Sequence, residues 1–164
     1  MSLMDAPVFD DRRARRNQAM LIGLAVSVAL LFVLFFLGYI LGHGWLFTNL
    51  PAEHRVSSFY TALEQKDYAK AYGIYNHDPD WQQHQAKYAS YPLSRFTEDW
   101  TTSYSPVNGP IISHHMDVSK TDGTGYFGTG IIVAATLNSD HKAFIYVDRS
   151  DGTFIYPSPH IIEY

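Results

Sequence analysis

The chain's 164 residues include no cysteine, which excludes disulfides, thiolate metal sites and thiol nucleophiles together. Its formal net charge is −4 although Arg12, Arg13, Arg15 and Arg16 crowd one end, so the remainder is acidic. It lacks the basic surface that displaces phosphate counterions, and nucleic acid is excluded as a partner.

Residues 1–18 form a polar, arginine-rich tail. Residues 19–41 then read AMLIGLAVSVALLFVLFFLGYIL, without a charged side chain. A helix of this length is roughly 34 Å long, enough for the ~30 Å hydrocarbon layer of a bilayer. After the run, only Arg55 follows within the next 20 residues. The arginine excess therefore places the N-terminus in the cytoplasm and residues 42 onward on the far side. A cleaved secretory signal is the competing reading, but its apolar core should span ~7–15 residues and end in a small-residue site. This run is longer and ends at Leu41, Gly42 and His43, so an uncleaved anchor is expected. Tyr39, Trp45 and Phe47 suit an interfacial aromatic belt, or else they cap the folded domain. The five asparagines form no N-x-Ser/Thr acceptor site, and with the missing cysteines this favours a bacterial inner membrane and a periplasmic domain.

Beyond the span, residues 42–51 read as a juxtamembrane linker, 52–157 as one domain and 158–164 as a C-terminal tail. All tyrosines but Tyr39, and all 3 tryptophans, lie beyond residue 41, which predicts an aromatic-rich core. Thr48, Asn49 and Pro51 announce a helix, with a capping side chain before a proline at the first position. Val56, Phe59, Tyr60 and Leu63 then share one helical face. Asp67 is placed to cap a second helix carrying Tyr68, Ala71, Tyr72 and Tyr75. Asp78 and Pro79 predict a further helical segment with Trp81, His84, Gln85 and Tyr88. Phe96, Asp99, Trp100 and Tyr104 predict a short helix before the break at residues 105–110.

After Pro110 the period changes to two. Ile112, His114, Met116 and Val118 are expected on one face of a strand, with Ser113, His115, Asp117 and Ser119 on the other. A turn at residues 121–125 leads into a long strand, 126–137, apolar on both faces and hence central. Strands over residues 142–148 and 153–156 follow after turns at 138–141 and at Asp151-Gly152. Helices followed by a four-strand meander define an α+β class, with the helices on one side of an antiparallel sheet.

Val56-Ser57-Ser58-Phe59-Tyr60-Thr61-Ala62-Leu63 followed by Lys66-Asp67-Tyr68-Ala69-Lys70-Ala71-Tyr72 resembles the opening helices of the nuclear-transport-factor-2-like, or cystatin-like, superfamily. The resemblance covers residues 52–157 and implies three helices packed on a strongly curved four-stranded antiparallel sheet. Enzymes of that superfamily, such as ketosteroid isomerases and polyketide cyclases, use the cone between helices and sheet as an apolar pocket. An Asp or His there acts as base, and a Tyr or protonated Asp holds an oxyanion. The resemblance makes His114, Tyr126 and Tyr146 the pocket candidates, with Asp117 beside them, but none falls on an aligned catalytic position. With a single N-terminal span, the architecture is more similar to membrane-anchored assembly scaffolds of bacterial envelope complexes. The expected function is therefore a non-catalytic binding or assembly module in a membrane complex, with no cofactor and with self-association through the sheet as an option. The alternative is a small-molecule-binding or isomerase/cyclase-like domain using the cone.

The histidines point to no metal site. His114 and His115 face opposite sides of a strand, and the pair His115 and Asp117 has no third ligand at a readable spacing. Tyr60, Tyr68, Tyr72, Tyr75 and Tyr88 are expected in the core, or in part on an outward face as anchors for a partner. Gly128 and Gly130 mark a bend or a close backbone approach.

Overall fold

The computed structural model describes residues 11–44, 47–102, 104–122 and 128–159. The chain divides into two compact units, Met1–Leu37 and Gly38–Tyr164.

The first unit is dominated by helix α1, Asp11–Ile40, none of whose residues is buried by protein. It begins before the uncharged run, so the arginines ride on the helix instead of forming an irregular tail. Arg, Gln and Ala are good helix formers, and Asp11 lies in the first turn, where a carboxylate complements the helix dipole. The Ser27 hydroxyl donates to the Gly23 carbonyl at 2.9 Å, so this polar group is satisfied within the helix. Among the described residues α1 is the one helix long and apolar enough to cross a membrane, and it lies near the N-terminus, where a signal sequence would meet the same criterion.

The second unit is α+β. Helices α2 (Asn49–Glu64), α3 (Tyr68–Tyr75) and α4 (Leu93–Thr101) precede strands β1 (His114–Thr121), β2 (Gly130–Leu137), β3 (His141–Asp148) and β4 (Phe154–Ile155). The strands form one antiparallel sheet in the order β1-β2-β3-β4, so β2 is central, as its uninterrupted apolar run requires. Ile131, Val133, Ala135 and Leu137 of β2, with Ala143, Ile145 and Val147 of β3, pack against Val56, Phe59, Tyr60 and Leu63 of α2. Phe59 is the hub. Its ring meets those of Trp100 at 5.0 Å, Phe154 at 5.7 Å and Phe96 at 6.2 Å, all edge-on, the arrangement aromatic quadrupoles favour. On the opposite face Ile132, Phe144 and Tyr146 make a smaller apolar cluster.

The α2–α3 junction follows its sequence. Lys66 adopts φ +59°, its N–H reaches the Leu63 carbonyl and that of Asp67 reaches Ala62, closing the helix; Asp67 Oδ1 then accepts from the Lys70 N–H at 3.1 Å as the α3 cap.

Several expectations change. Neither Thr48 nor Asn49 caps α2: Thr48 donates to Asn49 Oδ1, and the buried Asn49 amide donates to Ser119 Oγ at 3.0 Å, so the pair ties the helix start to β1. Pro51 is the third helical residue, still in the first turn, where its missing N–H costs nothing. The segment after Asp78 is no α-helix but two 3₁₀ turns, Trp81–Gln83 and Gln85–Tyr88. There Asp78 takes Asp80 N–H on Oδ1 and both His84 Nδ1 (2.8 Å) and the Tyr88 hydroxyl (2.7 Å) on Oδ2, folding the segment around one carboxylate. Strand β1 carries a bulge between Met116 and Val118, which reverses the alternation. Ser119, opposite Val133, turns inward and is fully buried, whereas Val118, opposite Ala134, turns outward. Finally, β2 begins at Gly130, with 126 and 127 outside the described residues. A Cβ on Gly130 would stand 2.1 Å from the Tyr146 ring, so this glycine permits a close approach.

Residues 42–44, expected as linker, pack on the domain. The Gly42 carbonyl accepts from Ser119 N–H at 3.0 Å, and His43 Nδ1 lies 3.0 Å from both oxygens of Glu53, a nearly buried carboxylate on α2.

Candidate functional site

The pocket candidates do not converge. His114 opens β1 opposite Leu137, on the helix-facing side, whereas Tyr146 pairs with Ile132 on the other face; Tyr126 lies outside the described residues. Asp117 sits at the bulge and accepts from Thr136 Oγ1 and Lys142 Nζ. Among the described residues no three His, Asp or Glu side chains are grouped to hold a metal ion.

His114 instead assembles partners from α2. Its Nδ1 lies 2.6 Å from Glu64 Oε1 and its Nε2 2.9 Å from Ser57 Oγ, while its ring tilts against that of Tyr60 at 5.6 Å. In the tautomer whose Nδ1–H donates to Glu64, Nε2 accepts from the Ser57 hydroxyl. Hydroxyl, imidazole and carboxylate thus stand in the order used for nucleophilic catalysis. Ser57 is mid-helix, however, with its backbone N–H committed to the helix ladder, so that turn offers no oxyanion donor. What the array accomplishes is to clamp α2 onto the start of β1. Ser57 and Glu64 were not singled out from sequence. Their i, i+7 spacing on one face of α2 is visible, but nothing local announces a histidine 50 residues later.

The interior between helices and sheet holds the rings of Phe59, Tyr75, Phe96, Trp100, Phe154 and Tyr156. The Tyr60 hydroxyl is buried there with no hydrogen-bond partner among the described residues. Burial, and then the neighbouring Tyr156, push its pKa far up.

Among the described residues, open space lies along the outer side of α2 and α3 and at one end of the α2–sheet interface. A groove of about 750 Å³ runs between α2, α3 and the first 3₁₀ turn, floored by Ala69, Gly73, Ile74 and Trp81. A second cavity of about 340 Å³ lies between Tyr72, Tyr88, Pro92 and Leu93. A third, of about 350 Å³, shares Arg55 and His77 with the first groove. Arg55 Nη2 donates to the Gly152 carbonyl at 2.5 Å, and its guanidinium stands 5.1 Å over the Phe154 ring. Burial lowers the pKa of this group, and among the described residues no carboxylate pairs with it. His77, held at φ +51°, approaches the Asp151 carbonyl with Nδ1 at 2.6 Å. The Trp81 indole N–H donates to the Ala69 carbonyl at 3.0 Å, which fixes the ring as a groove wall. None of these groove residues emerged as a site candidate from sequence, because their proximity depends on how α2, α3 and the β3–β4 turn meet.

The geometry defines an α+β domain preceded by an N-terminal apolar helix. Comparison with protein-family models, with curated proteins and with solved structures gives no match to the chain.

Proposed function

We propose that this protein is a single-pass membrane protein with a cytoplasmic N-terminus, and that its cystatin-like domain is a non-catalytic binding or assembly module on the extracytoplasmic side. A bacterial inner membrane and its periplasmic face are the proposed setting. The observation that carries the reading is the aromatic filling between helices and sheet, where a cone enzyme needs an open pocket around a titratable group. The basic start and uncharged body of α1 support the anchor and its orientation. A protein partner in a membrane complex, or a second copy of the chain, is the expected ligand. Two measurements test this. Intact-mass analysis of the membrane-extracted protein should find residues 19–41 retained, and a C-terminal reporter should be active only outside the cytoplasm. A mature chain starting beyond residue 41, or a reporter active only in the cytoplasm, overturns the placement. Crosslinking in membranes followed by mild-detergent purification should recover a defined complex.

The alternative, a small-molecule-binding or isomerase/cyclase-like domain, has the Ser57–His114–Glu64 array beside the unpartnered Tyr60 hydroxyl in its favour. It predicts a turnover that Ser57→Ala and His114→Ala both abolish, whereas the module keeps its complex in both variants.

A further inference from the structure

We propose that the groove between α2 and α3 binds a carboxylate carried on a short apolar chain, with Arg55 holding the carboxylate and the chain lying on Ala69, Ile74 and Trp81. The charge pattern selects the head group. Arg55 and His77 stand where two cavities meet, and Lys70 adds a third basic side chain to the groove. Of the acids lining the two cavities, Asp67 accepts from the Lys70 N–H as the cap of α3, while Asp148 and Asp151 accept from Ser150 and Thr153 in the β3–β4 turn. A half-buried guanidinium with no carboxylate partner among the described residues is a standing electrostatic deficit, because desolvation weakens a cation that no anion compensates. One of its N–H groups is spent on the Gly152 carbonyl, which orients the fork and leaves an edge for a bidentate carboxylate. The planar guanidinium fork matches a carboxylate bidentately, and a phosphate ester is the comparator that separates the two anions.

The apolar chain follows from the floor. Gly73 is buried, and a Cβ there would lie 3.1 Å from the Asp78 carbonyl and 3.2 Å from Trp81, so the loop carrying Trp81 closes directly on α3. Trp81 is locked in place by its indole hydrogen bond and by an edge contact with Tyr72 at 4.9 Å. The groove volume lies within the ~300–1,000 Å³ typical of small-molecule sites. This site is separate from the cone and does not depend on whether α1 remains in a membrane.

The test uses the full chain in lipid nanodiscs, with sodium hexanoate as the probe and tryptophan fluorescence as the readout. Hexan-1-ol, hexylammonium and hexyl phosphate serve as comparators. A saturable response to hexanoate is expected, absent in Trp81→Phe and weaker by at least about tenfold in Arg55→Gln, the loss typical of a charge-assisted pair. Ala69→Glu, which places a carboxylate in the groove without touching the core, should weaken binding as much, and it decides the matter if Arg55→Gln fails to fold. The proposal is overturned by the absence of a saturable response, by hexan-1-ol binding as tightly as hexanoate, by hexyl phosphate binding more tightly, or by parent-like affinity in Ala69→Glu.

Discussion

Tyr60 on α2 and Tyr72 on α3 are both fully buried tyrosines, but their hydroxyls are served in opposite ways. Tyr72 donates to the Tyr91 carbonyl at 2.6 Å; Tyr60 finds no partner among the described residues. A buried hydroxyl left unpaired carries a desolvation penalty that a paired one offsets. Tyr72→Phe should therefore destabilise by about 1 kcal/mol, while Tyr60→Phe should be neutral or stabilising by up to about 2 kcal/mol. Thermal melts of the two variants check the contrast, and equal losses would refute it. His114→Ala strips both Ser57 and Glu64 of their shared partner, with an expected loss of about 1–3 kcal/mol in the same melts. At this scale the sequence made the aromatic core legible, since helical spacing alone groups Val56, Phe59, Tyr60 and Leu63. It did not reveal that His114 and Tyr146 stand on opposite faces, because that parity depends on which residue of a neighbouring strand each one opposes.

The elements between α3 and α4 are organised by the Asp78 carboxylate. Hydrogen bonds from the Tyr88 hydroxyl, and next from His84, hold its pKa below the usual range. Asp151, bonded by the Thr153 N–H and hydroxyl, is shifted the same way. In both cases the folded carboxylate binds its proton less tightly than the unfolded one. The unfolded chain thus takes up more protons on acidification, and the contribution present above an ordinary carboxylate pKa of ~3.9 disappears as pH falls through the lower folded value. Asp78→Asn should flatten the fall in melting temperature between about pH 5 and pH 3 relative to the parent. A parent-like slope in Asp78→Asn would contradict that account. At the other end of the domain, His43 pairs with Glu53, whose side chain is 9% exposed. A soluble fragment beginning at Gly42 should be more stable than one beginning at Thr48, by about 1–3 kcal/mol, since the shorter fragment leaves a nearly buried carboxylate without its partner. Denaturant titration of the two fragments measures the difference. Gly42 to Gly44 contain no periodic signal, and their attachment to the domain runs through Ser119 and Glu53.

Across the whole molecule, an unburied apolar helix and an acidic α+β domain make different solvent demands. The side chains of α1 such as Leu30, Phe32 and Phe36 are more than half exposed, a surface that water does not tolerate over this length. Removing residues 1–37 should convert a detergent-dependent protein into a soluble one that retains the β-sheet signature in circular dichroism; aggregation of that fragment would show that the domain needs more than its own core.

The apolar helix, the order of helices before strands and the aromatic richness of the core were determined by the sequence alone, because each is written in local spacing and composition. Tertiary structure decided the bulge that buries Ser119, the clamp of Ser57 and Glu64 on His114, and the meeting of Arg55 with Gly152. The clamp and the Arg55–Gly152 bond join residues 50 to 97 positions apart, and the bulge is a matter of register between two strands. Such pairings are chosen by packing and hydrogen-bond satisfaction across the whole core, which no window of neighbouring residues contains.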